Sequence, residues 1–367
     1  MNRKRNSSIE LLRIIAILLI ISCHFSTHGL FRFDYVFGMD YLYMNLLTMG
    51  GDLGVDIFVL ISGYFLINDK KENGRRIFDF WIEVFFYSVV IYLLVCIFGF
   101  EQFSAKELIK NFLPIAFNRW WFAGTYFVLL VLHPYLNILL HGIEKKQYEG
   151  MLVILVLFWS IIPTFLRSDF NGNTLLWFIT LYFISAYVRL YLSEKKPDLK
   201  KYLILFIVFT IIPFAIRNLH NLGLPIPYIS VLSGYIYTRQ SLFTLLRAMC
   251  LFLFFVKKKA FFHPLINKVA SATFAIYLLH DSDYIRPILW QTVYNLNPDL
   301  NIGIILYSVI CVVCIYLICL TIEMLRQFLF KCTSVRKLND SIFVFVQKLY
   351  ETVESRTLSL FEKFLSE

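Results

Sequence analysis

Apolar residues in this chain come in long runs, with polar and charged residues gathered between them. Runs near the roughly twenty residues that a helix needs to cross a bilayer fall at about 9–27, 46–67, 78–99, 120–140, 151–167, 174–192, 202–219, 240–256, 268–288 and 302–322. Arg247 interrupts the eighth. The pattern predicts an all-α polytopic membrane protein with about ten transmembrane helices. Arg3-Lys4-Arg5, Lys70-Lys71 with Arg75-Arg76, Lys145-Lys146, Lys195-Lys196 with Lys200-Lys201, Lys257-Lys258-Lys259 and Lys331 with Arg336-Lys337 fall on one side of these spans. The other side holds scattered bases such as Arg32, Lys106, Lys110, Arg167 and Arg217. The positive-inside bias then puts both termini in the cytoplasm.

Residues 1–335 read as the membrane domain, with no soluble domain expected beside it. Residues 336–367 read as a cytoplasmic amphipathic tail, because Ile342, Phe345, Leu349, Val353, Phe361 and Leu365 recur at near-helical spacing and suit a helix lying on the inner surface. Phe100–Trp120, which contains Pro114, suggests an outer-face amphipathic or re-entrant piece. Leu219–Arg239, rich in Gly, Pro and Tyr, reads as the longest outer loop.

Composition agrees with a bilayer environment: 59% of the 367 residues are hydrophobic and 16% charged, more apolar surface than a soluble domain could keep from water. The net charge of +10 invites a nucleic-acid reading. The bases sit in short clusters between spans, however, so no nucleic-acid partner is expected. The pair Cys311 and Cys314 lies inside an apolar run and reads as helix filler, and no metal is expected. Arg3-Lys4-Arg5 followed by an apolar run and Cys23 imitates a lipoprotein signal peptide, but Glu10 and Arg13 interrupt that run. No inverted repeat of the transporter kind is visible.

The chemistry lies in the ionisable residues within the spans. Arg13 and His24 are eleven positions apart on the first, so they fall within roughly 20° of one helix face and about 16 Å apart along the axis. Arg13 could snorkel to headgroups and His24 could be satisfied by a backbone carbonyl, but the shared face favours a joint role. A neutral imidazole in a partly dry pocket is a good general base. On the second span Asp52 and Asp56 are four apart and share a face, and the deeper Asp56 needs a partner. Gly51, Gly54, Ser62 and Gly63 suit close helix packing. Arg75 and Arg76 are a topology signal or a clamp for phosphates. Trp120, Trp121 and Trp290 fit an interfacial belt. His280, Asp281 and Asp283 close the ninth span as solvated loop residues or as groups that bind a polar acceptor. Glu323 beside Arg326 reads as structural.

These motifs carry a resemblance. LRIIAILLIISCH, with ten residues between Arg13 and His24, resembles the first-helix signature of the membrane acyltransferase-3 family, acyl-CoA-dependent O-acyltransferases. GVDIFVLISGYF, RWWFAGTYFVLLVLHP and SATFAIYLLH resemble that family's second-helix, fourth-helix and late motifs, in family order over residues 8–325. The resemblance implies ten spans and transfer of an acetyl or other acyl group from cytoplasmic acyl-CoA to a sugar hydroxyl. It casts His24 as the catalytic histidine and Arg13 as its paired arginine. Taken with the residues, it gives His24, Arg13 and Asp56 as catalytic candidates, and Arg13, Arg75 and Arg76 for acetyl-CoA. Trp121, His280 and Asp281 are the candidates for the acceptor. The third span offers Trp81 and Glu83 where the family often has another base. The expected partners are the lipid bilayer and a glycan or lipid-linked sugar acceptor, with a homo-oligomer left open, and the expected location is the plasma (cell) membrane. A transporter or flippase of lipid-linked sugars, with Arg13, Asp56 and His24 along a polar path, is the alternative.

Overall fold

The computed structural model describes residues 5–31, 38–69, 74–166, 173–192, 198–221, 234–333 and 335–366. Arg3, Lys4, Arg32, Lys70, Lys71, Arg167, Lys195, Lys196 and most of the Gly- and Pro-rich loop lie outside those residues. Among the described residues there are helices and no strand. The expected all-α membrane fold is therefore the observed one.

Eight of the ten apolar runs form helices long and apolar enough to cross a membrane. In chain order they begin with α1 (Ser7–His28), then α2 (Met39–Thr48) running through Met49 into α3 (Gly50–Leu66), and α4 (Gly74–Ile97). After the short α5 (Ala105–Phe112) come α6 (Trp121–Gly142) and α7 (Lys145–Val156), which continues through one π turn into α8 (Ile162–Leu166). The remaining three are α9 (Thr174–Tyr191), α10 (Leu199–Asn221) and, near the end, α15 (Ile304–Cys332). The other two runs give a shorter helix and a broken one. The eighth is α11 (Leu242–Lys257), sixteen residues long and so about 24 Å, with Arg247 buried on it. The ninth breaks into α12 (Pro264–Ala270) and α13 (Thr273–His280), followed by α14 (Ile285–Leu296). At the break the hydroxyls of Ser271 and Thr273 donate to the carbonyls of Lys268 and Ala270, a local alternative to the helical ladder. The last helix, α16 (Val335–Ser366), follows α15.

The core forms around α1, α3 and α9. Leu12, Ala16, Ile17, Ile20, Ile21 and Phe25 bury one face of α1. Gly54 is what lets α3 come so close, since a Cβ there would stand 2.5 Å from the Ala16 carbonyl oxygen. Gly63 plays the same part against Tyr182 and Ser185 of α9. α10, by contrast, exposes Leu203, Ile204, Ile207, Val208, Ile211 and Ile212, the surface a lipid-facing helix presents. The amphipathic piece expected around Phe100–Trp120 is present as α5, capped by Ser104 and flanked by exposed Phe103, Leu113 and Phe117.

Candidate active site

A cavity of about 720 Å³ lies among α1, α3, α4, α6, α12 and α13. Arg13 and His24 of α1 both line it. Arg5 and Arg76 join Arg13, together with Asp79 and Glu83. Cys23, Thr27, Asp52, Trp121, Arg239 and Asp281 line it with His24. Ile20, Val55, Phe58, Phe80, Phe122 and Phe274 line it as well, and the one hydroxyl pair among them is Tyr126 donating to Ser62 at 2.9 Å. The cavity thus has charged groups and long aromatic walls, the form of a small-molecule site.

His24 is held from behind. His280, fully buried at the end of α13, places its Nε2 3.1 Å from His24 Nδ1. His280 Nδ1 lies 2.6 Å from the Ile276 carbonyl oxygen, which can only accept, so Nδ1 carries that ring's proton and Nε2 is bare. His24 Nδ1 must then be the donor between the two rings, which leaves the lone pair of neutral His24 on Nε2. No described residue hydrogen-bonds that nitrogen. The Asp281 carboxylate lies 3.6 Å from His24 Nδ1 and accepts from Arg286 Nε at 2.9 Å. A positive charge arriving on His24 would meet that carboxylate.

Not every residue expected at the site lines the cavity. Asp56 is fully buried, accepts from Trp177 Nε1 at 3.0 Å and lies behind the cavity wall. Arg75 turns to Asp79 at 2.7 Å and Asp340 of α16 at 2.5 Å, and the lining does not include it. Arg76 does line the cavity and pairs with Asp69. Arg13 lines it too, 3.3 Å from Glu10. His280 touches His24 without lining the cavity, whereas Trp121 and Asp281 line it. Sequence reasoning missed Arg239. Its guanidinium lies 3.9 Å over the Trp121 ring, and its Nε donates to Asp52 at 3.0 Å. It stands just before an interrupted apolar run, where an arginine reads as an ordinary loop residue.

The profile of a family described as an acyltransferase domain matches residues 6–324. The peptidoglycan O-acetyltransferase OatA of Listeria monocytogenes serovar 1/2a is similar, at 27% identity over 203 residues, which is 49% of this chain. The chain covers 30% of that relative's length. No solved structure matches.

Proposed function

The chain belongs to that acyltransferase family, and from this premise we propose that it is a multi-pass membrane O-acyltransferase moving an acetyl group from cytoplasmic acetyl-CoA to a hydroxyl of an exported or cell-surface glycan. Peptidoglycan, in the name of the similar Listeria protein, is one glycan of this class. The observation that carries the reading is one cavity lined both by Arg5, Arg13 and Arg76 and by His24 with a bare Nε2.

Coenzyme A is made in the cytoplasm and is too charged to cross a bilayer. The three guanidinium groups suit its phosphates. The Arg13–His24 separation, about 16 Å along α1, is on the scale of a pantetheine arm. The Ser62–Tyr126 hydroxyls can meet the arm's amides. The thioester then lies by His24. His24 Nε2 takes the proton of the acceptor hydroxyl as its oxygen attacks the thioester carbonyl, and the tetrahedral adduct collapses with cleavage of the C–S bond. The thiolate leaves with the proton from Nε2, giving an ester and a free thiol. His280 fixes the tautomer, and Asp281 offsets the charge on the imidazolium.

In a deletion strain complemented with His24→Ala, the O-acetyl signal of the surface glycan in NMR should stay absent while the wild-type gene restores it. Equal restoration by both would remove His24 from the mechanism. Loss of the glycan itself on deletion, rather than of its esters, would favour a flippase.

A further inference from the structure

A second cavity, of about 280 Å³, adjoins the first. Asp52, Thr174, Trp177, Thr238, Arg239 and Gln240 line it. Asp52 and Arg239 line both cavities, so this ion pair is the partition between them. The volume is just below the range of about 300–1,000 Å³ taken by drug-sized ligands, and suits one small ring. Thr174 at the N-terminal end of α9 and Thr238–Gln240 just before α11 line this vestibule, and alternation of the spans puts those two helix ends on the side opposite the cytoplasmic donor. Asp52 joins them from within the α2–α3 span.

The donors and acceptors here are of a particular kind. Asp52 and Arg239 carry opposite charges and cancel, and Thr174, Thr238 and Gln240 are neutral hydrogen-bonding groups. The pair is also incompletely used. Arg239 spends its Nε on Asp52 and its face on Trp121, and no described residue accepts from its terminal nitrogens. Asp52 accepts through Oδ1 alone, and its side chain is 35% exposed. A carboxylate that accepts, a guanidinium that donates in a plane and an indole beside them match a polyol ring, with hydroxyls of both senses and an apolar face. A site without net charge gives no advantage to an anionic or a cationic ring.

Resting on the acyl-transfer reading above, we propose that Asp52, Arg239, Thr174, Thr238 and Gln240 form an acceptor subsite for one uncharged pyranose ring, and that Arg239 positions this ring at the partition so that a hydroxyl reaches His24. Arg239 also separates the thioester from the vestibule until the ring is seated.

The test uses the full chain in membranes, with the cells' own surface glycan, stripped of its esters by mild base, as the probe. Free thiol released from acetyl-CoA is followed against glycan concentration and, separately, against acetyl-CoA. For Arg239→Gln and Asp52→Asn, the glycan concentration at half-maximal rate should rise at least tenfold, while that for acetyl-CoA stays within twofold. Retained thermal stabilisation by acetyl-CoA shows that the variants are folded. Folded variants with unchanged glycan dependence would overturn the subsite. So would NMR of the product if it put the new ester on a carboxylate- or phosphate-bearing sugar. Wild-type membranes that release no thiol with the glycan would instead overturn the acyl-transfer reading.

Discussion

Two of the buried polar clusters in this bundle differ in how fully their members are partnered, and the contrast separates a candidate site from architecture. One joins α4 to α15. Glu323, fully buried, accepts from Tyr87 and from Arg326 Nε, Arg326 Nη2 and Gln327 at 2.7 Å each, and Arg326 reaches Glu83 at 3.3 Å. The rings of Phe86, Tyr87 and Phe330 enclose its guanidinium. Both oxygens of the Glu323 carboxylate are engaged, so Glu323 has nothing left to offer a substrate, and only Glu83 at the cluster's edge reaches the cavity. The other cluster, His24, His280, Asp281 and Arg286, is just as tightly held on one side yet presents a bare nitrogen beside an open cavity. Saturation of Glu323 suits the first to clamp helices, and one missing partner makes the second the candidate site.

The largest expected effect comes from breaking the clamp. Glu323→Ala leaves the Arg326 cation, 14% exposed, with Glu83 as its remaining ion partner, a loss approaching the roughly 3–5 kcal/mol seen when a fully buried pair is broken. Thermal unfolding in nanodiscs should show the drop, while the transfer rate per folded molecule stays near that of wild type. A variant as stable as wild type would mean that the cluster does not clamp α4 to α15.

A smaller effect sharpens the other side of the contrast. If His280 acts only by accepting from His24 Nδ1, His280→Ala should lower transfer about tenfold, the value of roughly one charged-group hydrogen bond. His280→Gln, whose amide oxygen can also accept, should recover most of it. Equal loss in both variants, with normal unfolding, would mean that His280 does more than fix the tautomer.

Arg13, His24, His280 and Asp281 are all candidates for the site on sequence, but only the relation between the first two is legible there, for a physical reason. Arg13 and His24 lie on one regular helix, so their common face and separation follow from helical geometry alone, and both line the cavity. The partner of His24 is 256 positions away, and no periodicity reaches that far. Asp56 and Arg75 were placed by residue type, but neighbours set their surroundings: Trp177 encloses one, and Asp340 draws the other aside. Eight long helices follow from the apolar runs. The eighth run forms a helix of only sixteen residues, and the ninth breaks where the Ser271 and Thr273 hydroxyls turn back to carbonyls three residues earlier, a local competition that a count of apolar residues does not register.

A half-buried ion pair on the short α5 provides a second comparison. On α5, Glu107 binds Lys110 at 2.5 Å and Arg119 at 2.6 Å. Those two hydrogen bonds hold its carboxyl down from 4.5 to about 2. A group with a depressed folded value contributes its full stability above the unfolded value near 4.5, and loses it as the pH falls toward 2. Water screens this pair, so its contribution is on the order of 0–1 kcal/mol, well below that of the sealed clamp. The gap in unfolding temperature between wild type and Glu107→Gln should therefore be small and constant from pH 7 to 5, then close as the pH approaches 2. A gap as wide as that of Glu323→Ala would show that burial is not what distinguishes the clamp. A gap that widened in acid would mean that the Glu107 carboxylate is not stabilised by its ion pair in the folded state.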